Sequence, residues 1–337
     1  MISDKNANAM KWLLRREFWE HKGSMFWAPL IVGTLLVALL GSLVTYGLMT
    51  RGIPAWVTIN GQPQPHANLD TVLPENTKNM IARMATTIYM GASAPLLLVL
   101  AVVVFYYCLG ALHDERRDRS ILFWKSLPVS DRMTVLSKAI MATVVAPAIT
   151  IVIAVAASLL LLFIASITLG VLGLNLFTMV LASPDLYLSP LRLAALLPVY
   201  VVWALPSVGW LLLVSSWAKS KPILWAVGVP VGALVAIKWI NASLEGVYGL
   251  FGLTLTLEHY ASDVVARILG GIVPGIWFTF QGGLSAAIHP TRNGMDLSGL
   301  VPQSYMSLAG PDAWIGVAMG VAMLYGAVRM RRWRDEG

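Results

Sequence analysis

Charge is scarce in this 337-residue sequence: 12% of residues are Asp, Glu, Lys or Arg, against 57% hydrophobic, and mean hydropathy is +0.72. A soluble globular chain carries about 25% charged residues. Half that charge leaves too little polar surface to face water, which excludes a soluble enzyme. Intrinsic disorder is excluded as well, because its composition is the reverse. Cysteine is almost missing. Cys108 alone excludes a disulfide within the chain and a cysteine-based zinc site. Catalytic signatures are missing too: there is no G-x-x-x-x-G-K-[ST], no Gly-Lys dipeptide, no H-E-x-x-H and no G-x-S-x-G. The chain therefore brings no P-loop of its own.

Long uncharged runs fill the space instead, near 25–50, 84–112, 139–184, 193–218, 222–237, 268–288 and 313–328. A membrane-crossing helix needs about 20 such residues. The first run is too long for a signal-peptide core and has no A-x-A site after it, which predicts an uncleaved first span. The simplest arrangement is an all-α integral membrane protein. It has six spans, near 26–48, 89–112, 139–165, 193–216, 222–243 and 313–330, with both termini on one side. That model puts most of the 24 Lys and Arg residues on the terminal side. Only Arg51, Lys78, Arg83, Arg192, Lys238, Arg267 and Arg292 fall in the opposite loops or outer helix ends. The positive-inside rule then predicts cytoplasmic termini.

A rival with eight spans makes a hairpin of 139–184, turning near Gly170–Asn175, and lets 268–288 cross. It places Lys219 and Lys221 outside and the acidic 245–267 loop inside, which worsens the charge asymmetry. Gly270, Gly271, Pro274 and Gly275 also make 268–288 a poor lipid-facing helix. That stretch reads as re-entrant from the outer side. The whole of 1–337 is expected to be a single transmembrane domain, with an outer segment over 245–312.

Residues 8–23 are rich in cations and aromatics. Met10, Leu13, Leu14 and Phe18 share a helical arc, but Glu17 interrupts it and Trp12 and Trp19 lie opposite. An interfacial helix on the inner leaflet is the plain expectation, with membrane lipids as its partners. Within spans, Gly228-x-x-x-Gly232 and Gly316-x-x-x-Gly320 allow close helix approach, inside one subunit or between two. Lys238, near a helix end, is expected to reach toward headgroups. Glu258-His259 with Asp263 is the best candidate for chemistry in the outer segment, but the two neighbours point differently on a helix and no third partner is identifiable.

The loop 113–132 is the informative one. It opens with charges of both signs, His113-Asp-Glu-Arg-Arg-Asp-Arg119, and continues through the apolar–aromatic run Ile121-Leu-Phe-Trp124. Pro128 disfavours helix at Leu127, and Ser130 can cap the next helix. No bilayer covers Leu122, Phe123 and Trp124 in such a loop, so the membrane interface, the rest of the chain or a partner protein must.

This loop resembles the first cytoplasmic loop of type-2 ABC transporter permeases, the membrane subunits of many bacterial exporters. The matching elements are Glu115-Arg116 closing the second span, a short helix at Ser120–Lys125, the Ser126-Leu-Pro-Val-Ser130 ending and Lys138 opening the third span. Arg15-Arg16-Glu17 before the first span and the layout of six spans with a broken outer segment also fit. The specific motif covers about 25 residues and departs from the pattern at Arg119-Ser120, where many members have Gly-Thr. The E-A-A-x-x-x-G spacing of ABC importers is absent.

The resemblance implies a coupling helix that docks on a separate ATPase subunit, with two permeases and two ATPases per transporter. The permease pair is expected to be a homodimer in a bacterial inner membrane. Phe123 and Trp124 would be the anchors, and Leu122, Leu127, Pro128, Ser120 and Ser130 would shape the contact. Glu115, Arg116 and Lys125 would be rim contacts. ATP and Mg would belong to the partner, with no cofactor, metal, nucleic acid or catalytic residue on this chain. A membrane-embedded enzyme acting on lipid or peptide is the alternative from another class, and it would need a polar constellation that the sequence does not display.

Overall fold

In a computed structural model of the chain, the described residues are 2–51, 56–59, 62–65, 91, 93–118, 129–171, 192–248, 251–281, 283, 289–291, 294–296 and 299–333. They form an all-α protein with two short accessory hairpins. Six helical stretches are long and apolar enough to cross a membrane, and they fall where the six-span arrangement expects them.

Helix α1 (Ile2–Glu20) leads through a π-helical turn (Gly23–Trp27) into α2 (Ala28–Arg51), the first span. A hairpin follows, with strand β1 (Trp56–Ile59) antiparallel to β2 (Gln62–Pro65). The second span is α3 (Ala94–Arg117). The third is a composite: α4 (Asp131–Ile140), a π-helical turn (Met141–Val145) and α5 (Ala146–Val171). Ser130 starts it as expected, with extended backbone and a side chain that accepts from the Met133 N–H at 3.3 Å. α6 (Leu197–Trp217) and α7 (Pro222–Tyr248) are the fourth and fifth spans.

α8 (Phe251–Gly270) and a 3-10 turn (Ile276–Gln281) precede the second hairpin, β3 (His289–Thr291) with β4 (Gly294–Asp296). Short α9 (Leu300–Met306) and the last span, α10 (Pro311–Trp333), complete the fold. Residues 146–171 are one continuous helix, and the turn that the eight-span rival places near 170–175 falls largely outside the described residues. Over 268–281 the chain holds a helix end, a turn and a 3-10 segment, which speaks against a continuous span there. The acidic stretch expected as loop is instead largely helical, as α8.

The α6–α10 pair is the most extensive helix contact among the described residues. α6 lies against α10, where a Cβ on Gly320 would stand 2.7 Å from the Leu205 carbonyl oxygen and one on Gly209 2.6 Å from that of Gly320. Only glycine permits that approach. Gly320 thus serves packing within the subunit, whereas Gly228 and Gly232 on α7 face open space. The α2–α5 pair is looser. Gly33 and Gly41 admit Ile153 and Ile164, and Thr45 meets Thr168 at 3.4 Å. Several hydroxyls within the spans bond back along their own helix, as Thr34, Thr143 and Thr150 do to carbonyls four residues earlier. Pro230 in α7 has no N–H for the Ala226 carbonyl, and Trp210 Nε1 donates to that oxygen at 2.9 Å instead.

The far end of the bundle, opposite the termini, closes around α6. Gly270 ends α8, Gly271 sits hard against the Trp203 carbonyl and Ser207 hydroxyl, and Gly275 takes φ +91°. The Tyr200 hydroxyl donates to the Ile272 carbonyl, and Trp203 and Trp277 donate their indole N–H groups to Ser307 and Ser304. The glycines and Pro274 break the helix as expected, and the broken backbone is covered by protein.

Candidate functional site

At the terminal end, four helices bring single charged side chains to one buried point. Glu17 comes from α1, Glu115 from the last turns of α3, Lys138 from the end of α4 and Arg331 from the end of α10. All four are under a tenth exposed. Isolated ions would not survive such burial, so each must meet its opposite. Lys138 Nζ lies 2.9 Å from Glu17 Oε1 and 2.9 Å from Glu115 Oε1. Arg331 Nη1 donates to Glu115 Oε2 at 2.8 Å, and its Nε reaches Asp131 Oδ1 at 3.2 Å. The Tyr107 hydroxyl donates to Glu17 Oε2 at 3.0 Å. Arg16 stands 4.0 Å from Glu115 and pairs with Glu20 at 3.2 Å. The two buried carboxylates balance the two buried cations.

The electrostatics follow from this crowding. Burial by itself pushes the Glu17 carboxyl up, but the ammonium of Lys138, helped by Arg16 and His21, outweighs it and holds Glu17 below its ordinary value. His21 edges onto the Tyr107 ring at 4.9 Å. Its burial lowers its own pKa, and the nearby Glu17 offsets only part of that.

Beside the ionic knot, the end of α3 is stapled to the end of α6. Ser215 Oγ donates to the Leu109 carbonyl at 2.7 Å and accepts from the Leu112 and His113 N–H groups at 3.0 Å, so this side chain enters the hydrogen-bond ladder of α3. Arg116 donates to the carbonyls of Ser215 and Ala218, which end α6 without helical partners. His113 Nδ1 lies 3.1 Å from the same Ala218 oxygen. Leu112, Glu115, Arg116, Ser216 and Arg331 line a cleft with room for about one water molecule.

Of the residues singled out in the loop, Glu115, Arg116 and Ser130 are described. The first two are built into the bundle by the contacts above, and Ser130 caps α4. Ser120, Leu122, Phe123, Trp124, Lys125, Leu127 and Pro128 lie outside the described residues. The loop that holds them departs from Glu115 and Arg116 and returns at Ser130 and Asp131, so both its roots are tied into the ionic knot or its staple.

The knot itself was not foreseen as a unit. Its sequence signal is faint: Lys138 is an isolated charge in an apolar stretch, whereas Glu17, Glu115 and Arg331 sit among other charges near span ends. Their pairing is a property of the tertiary fold.

On the far side, Lys238 pairs with Glu258 at 3.3 Å across α7 and α8, and His259 with Asp263 at 3.6 Å along one helix face. No group of three or more His, Cys, Asp or Glu suited to a metal ion occurs among the described residues. Comparison of the chain with family models, with curated proteins and with solved structures gives no match.

Proposed function

We propose that this chain is the membrane subunit of an ATP-driven exporter of the type-2 ABC class, paired with a second copy and coupled to separate ATPase subunits that hold ATP and Mg. Both termini and the loop 113–132 would then face the cytoplasm of a bacterial inner membrane. The observation that carries the reading is the anchoring of that loop. Its two roots are fastened by buried ion pairs to α1 and α10 and by hydrogen bonds to α6, and the aromatic run between them is the part we assign to the partner. A push on Phe123 and Trp124 by a docked ATPase would be transmitted to four spans at once.

On this reading Glu115 and Arg116 work as the posts that hold the loop, and contact with the partner falls to the residues between them. Buried aromatics commonly dominate protein contacts, and one such truncation costs about 2 kcal/mol or more, roughly thirtyfold in affinity.

The test is the double substitution Phe123→Ala with Trp124→Ala. It should insert and purify as the unaltered protein does, yet lose its ATPase on co-purification or lose transport-coupled hydrolysis. Lys125→Ala, at the rim, should do less. A double variant that keeps its partner and full activity while inserting poorly would make the loop a membrane anchor and sink the proposal.

A further inference from the structure

The outward face of α1 is chemically unlike its inward face. Leu13 and Glu17 are buried against the bundle, and Met10, Leu14 and Phe18 are partly covered. The apolar arc that sequence would lay on a membrane is spent on protein. What α1 turns outward is Lys11, Trp12, Arg15, Trp19 and, just past its last turn, the half-buried Lys22. At 3.6 residues per turn these five fall within an arc of about 100°. Trp12 and Trp19 are 51% and 59% exposed, and Lys22 Nζ sits 4.9 Å over the Trp19 ring, which places the cations and indoles side by side. No acid shares that arc between residues 8 and 22: Glu17 is buried, and Glu20 is turned to Arg16. The other chain end at the same side of the bundle repeats the chemistry. Arg329 lies 5.1 Å from the centroid of the Trp333 ring, which is 71% exposed, with Arg332 exposed beside it.

We infer that this face of α1 is a binding surface for anionic phospholipid headgroups. Indoles settle at the headgroup level because the ring is apolar and the N–H is wet, and adjacent Lys and Arg then meet lipid phosphates. A zwitterionic headgroup carries its own ammonium and competes for those phosphates, so the preference is for net negative lipid. The opposite face of the same helix carries Glu17 and Arg16 into the ionic knot, so the bound lipid and the loop roots share one rigid element. The inference stands on membrane insertion and the exposed face of α1, and it holds whether or not the chain couples to an ATPase.

Native mass spectrometry of the detergent-purified full chain, offered phosphatidylglycerol and phosphatidylcholine of matched acyl chains in equal amounts, reads the preference directly. Phosphatidylglycerol should be retained over phosphatidylcholine, and the triple variant Lys11→Gln, Arg15→Gln, Lys22→Gln should lower that ratio by about tenfold to a hundredfold. The charge-conserving set Lys11→Arg, Arg15→Lys, Lys22→Arg should keep it. Trp12→Ala with Trp19→Ala should reduce retention of both lipids and leave the ratio alone. Excess inorganic phosphate should not displace the lipid, since a headgroup is held together with its acyl chains.

On the unaltered protein, in nanodiscs of each lipid, hydrogen exchange over residues 8–22 should be slower with phosphatidylglycerol, and salt should erase the difference. An undiminished ratio in the glutamine variant would assign the preference to other cations and overturn the inference. So would equal exchange in the two lipids, or a glutamine variant that keeps its lipid but sheds a protein partner, which would make this face a protein-docking surface.

Discussion

The two ends of the bundle bury charge by different means. At the terminal end, Glu17, Glu115, Lys138 and Arg331 neutralise one another across four helices. At the far end, Arg267 is 8% exposed and has no buried carboxylate. It lies against the stacked Trp203 and Phe280 rings, 5.2 and 4.7 Å from their centroids, and donates to the Asp312 carbonyl, with the exposed Asp312 carboxylate 3.7 Å away. Aromatic faces and a backbone oxygen replace the counter-ion. The difference is one of interdependence. Removing a member of the ionic knot strands a buried opposite charge on another helix, whereas removing Arg267 leaves neutral buried groups and an Asp312 carboxylate that water already solvates.

The largest predicted effect is therefore at Lys138. Lys138→Met leaves two buried carboxylates facing each other, and breaking a buried pair in this way costs about 3–5 kcal/mol. The midpoint of thermal unfolding in detergent should fall sharply, and adding Glu17→Gln and Glu115→Gln should recover part of the loss. A Lys138→Met protein as stable as the unaltered one would erase the contrast between the ends.

Next comes the glycine seam that joins both ends along α6 and α10. Gly320→Ala drives a methyl into the Leu205 carbonyl and should cost roughly 1–3 kcal/mol. Gly228→Ala, facing open space, should be near neutral in the same assay. Arg267→Met should cost about 1–2 kcal/mol, the worth of a desolvated cation–π contact and a charged hydrogen bond. A larger loss at Arg267 than at Lys138 would reverse the ranking of the two ends.

The smallest effect is the pH dependence of the terminal end. His21 has a folded pKa below its ordinary value of 6.5, so the unfolded chain binds more protons in that window and stability falls as pH drops through 6.5 toward the folded value. Glu17, also depressed, keeps its contribution down to its ordinary value of 4.5 and loses it only below. Unfolding midpoints measured from pH 7.5 to 5.5 should decline slightly, and His21→Gln should flatten the slope.

The same contrast marks what was legible in the sequence. Six spans could be read because lipid demands about 20 apolar residues from each, and Ser130 and the Gly270–Gly275 breaks could be read because caps and glycines act locally. Adjacent spans of similar hydropathy nonetheless differ in depth: α6 is mostly buried in protein while α7 is mostly exposed on the bundle surface. Hydropathy reports transfer out of water and is blind to whether lipid or protein receives the helix. Helix α8 was read as loop because its acids sit on an amphipathic stretch too polar to span. Glu17 looked like a flaw in an amphipathic pattern because its partner, Lys138, lies 121 residues away. Arg16, on the same cation-rich stretch, turns inward for the same reason, to within 4.0 Å of Glu115.

The third span has one more consequence, and it is mechanical. Residues 131–168 form a single rod of 38 residues, about 57 Å long and nearly twice the hydrocarbon thickness of a bilayer. Its wide π turn at Met141–Val145 is gripped by neighbouring helices, with Met141 and Ala142 fully buried. Such a turn holds one residue more than an α turn and is a natural place for a helix to bend. The gripped turn separates a short arm of ten residues, α4, which carries Asp131 and Lys138, from a long arm, α5, which runs on past residue 168 to Val171 over 26 residues. A rod pivoted off-centre multiplies displacement: the far tip of the long arm, about 39 Å from the pivot, travels about 3.4 Å for each 5° of swing. The short arm moves by less than half as much, so small strokes at the loop root become large ones at the opposite face.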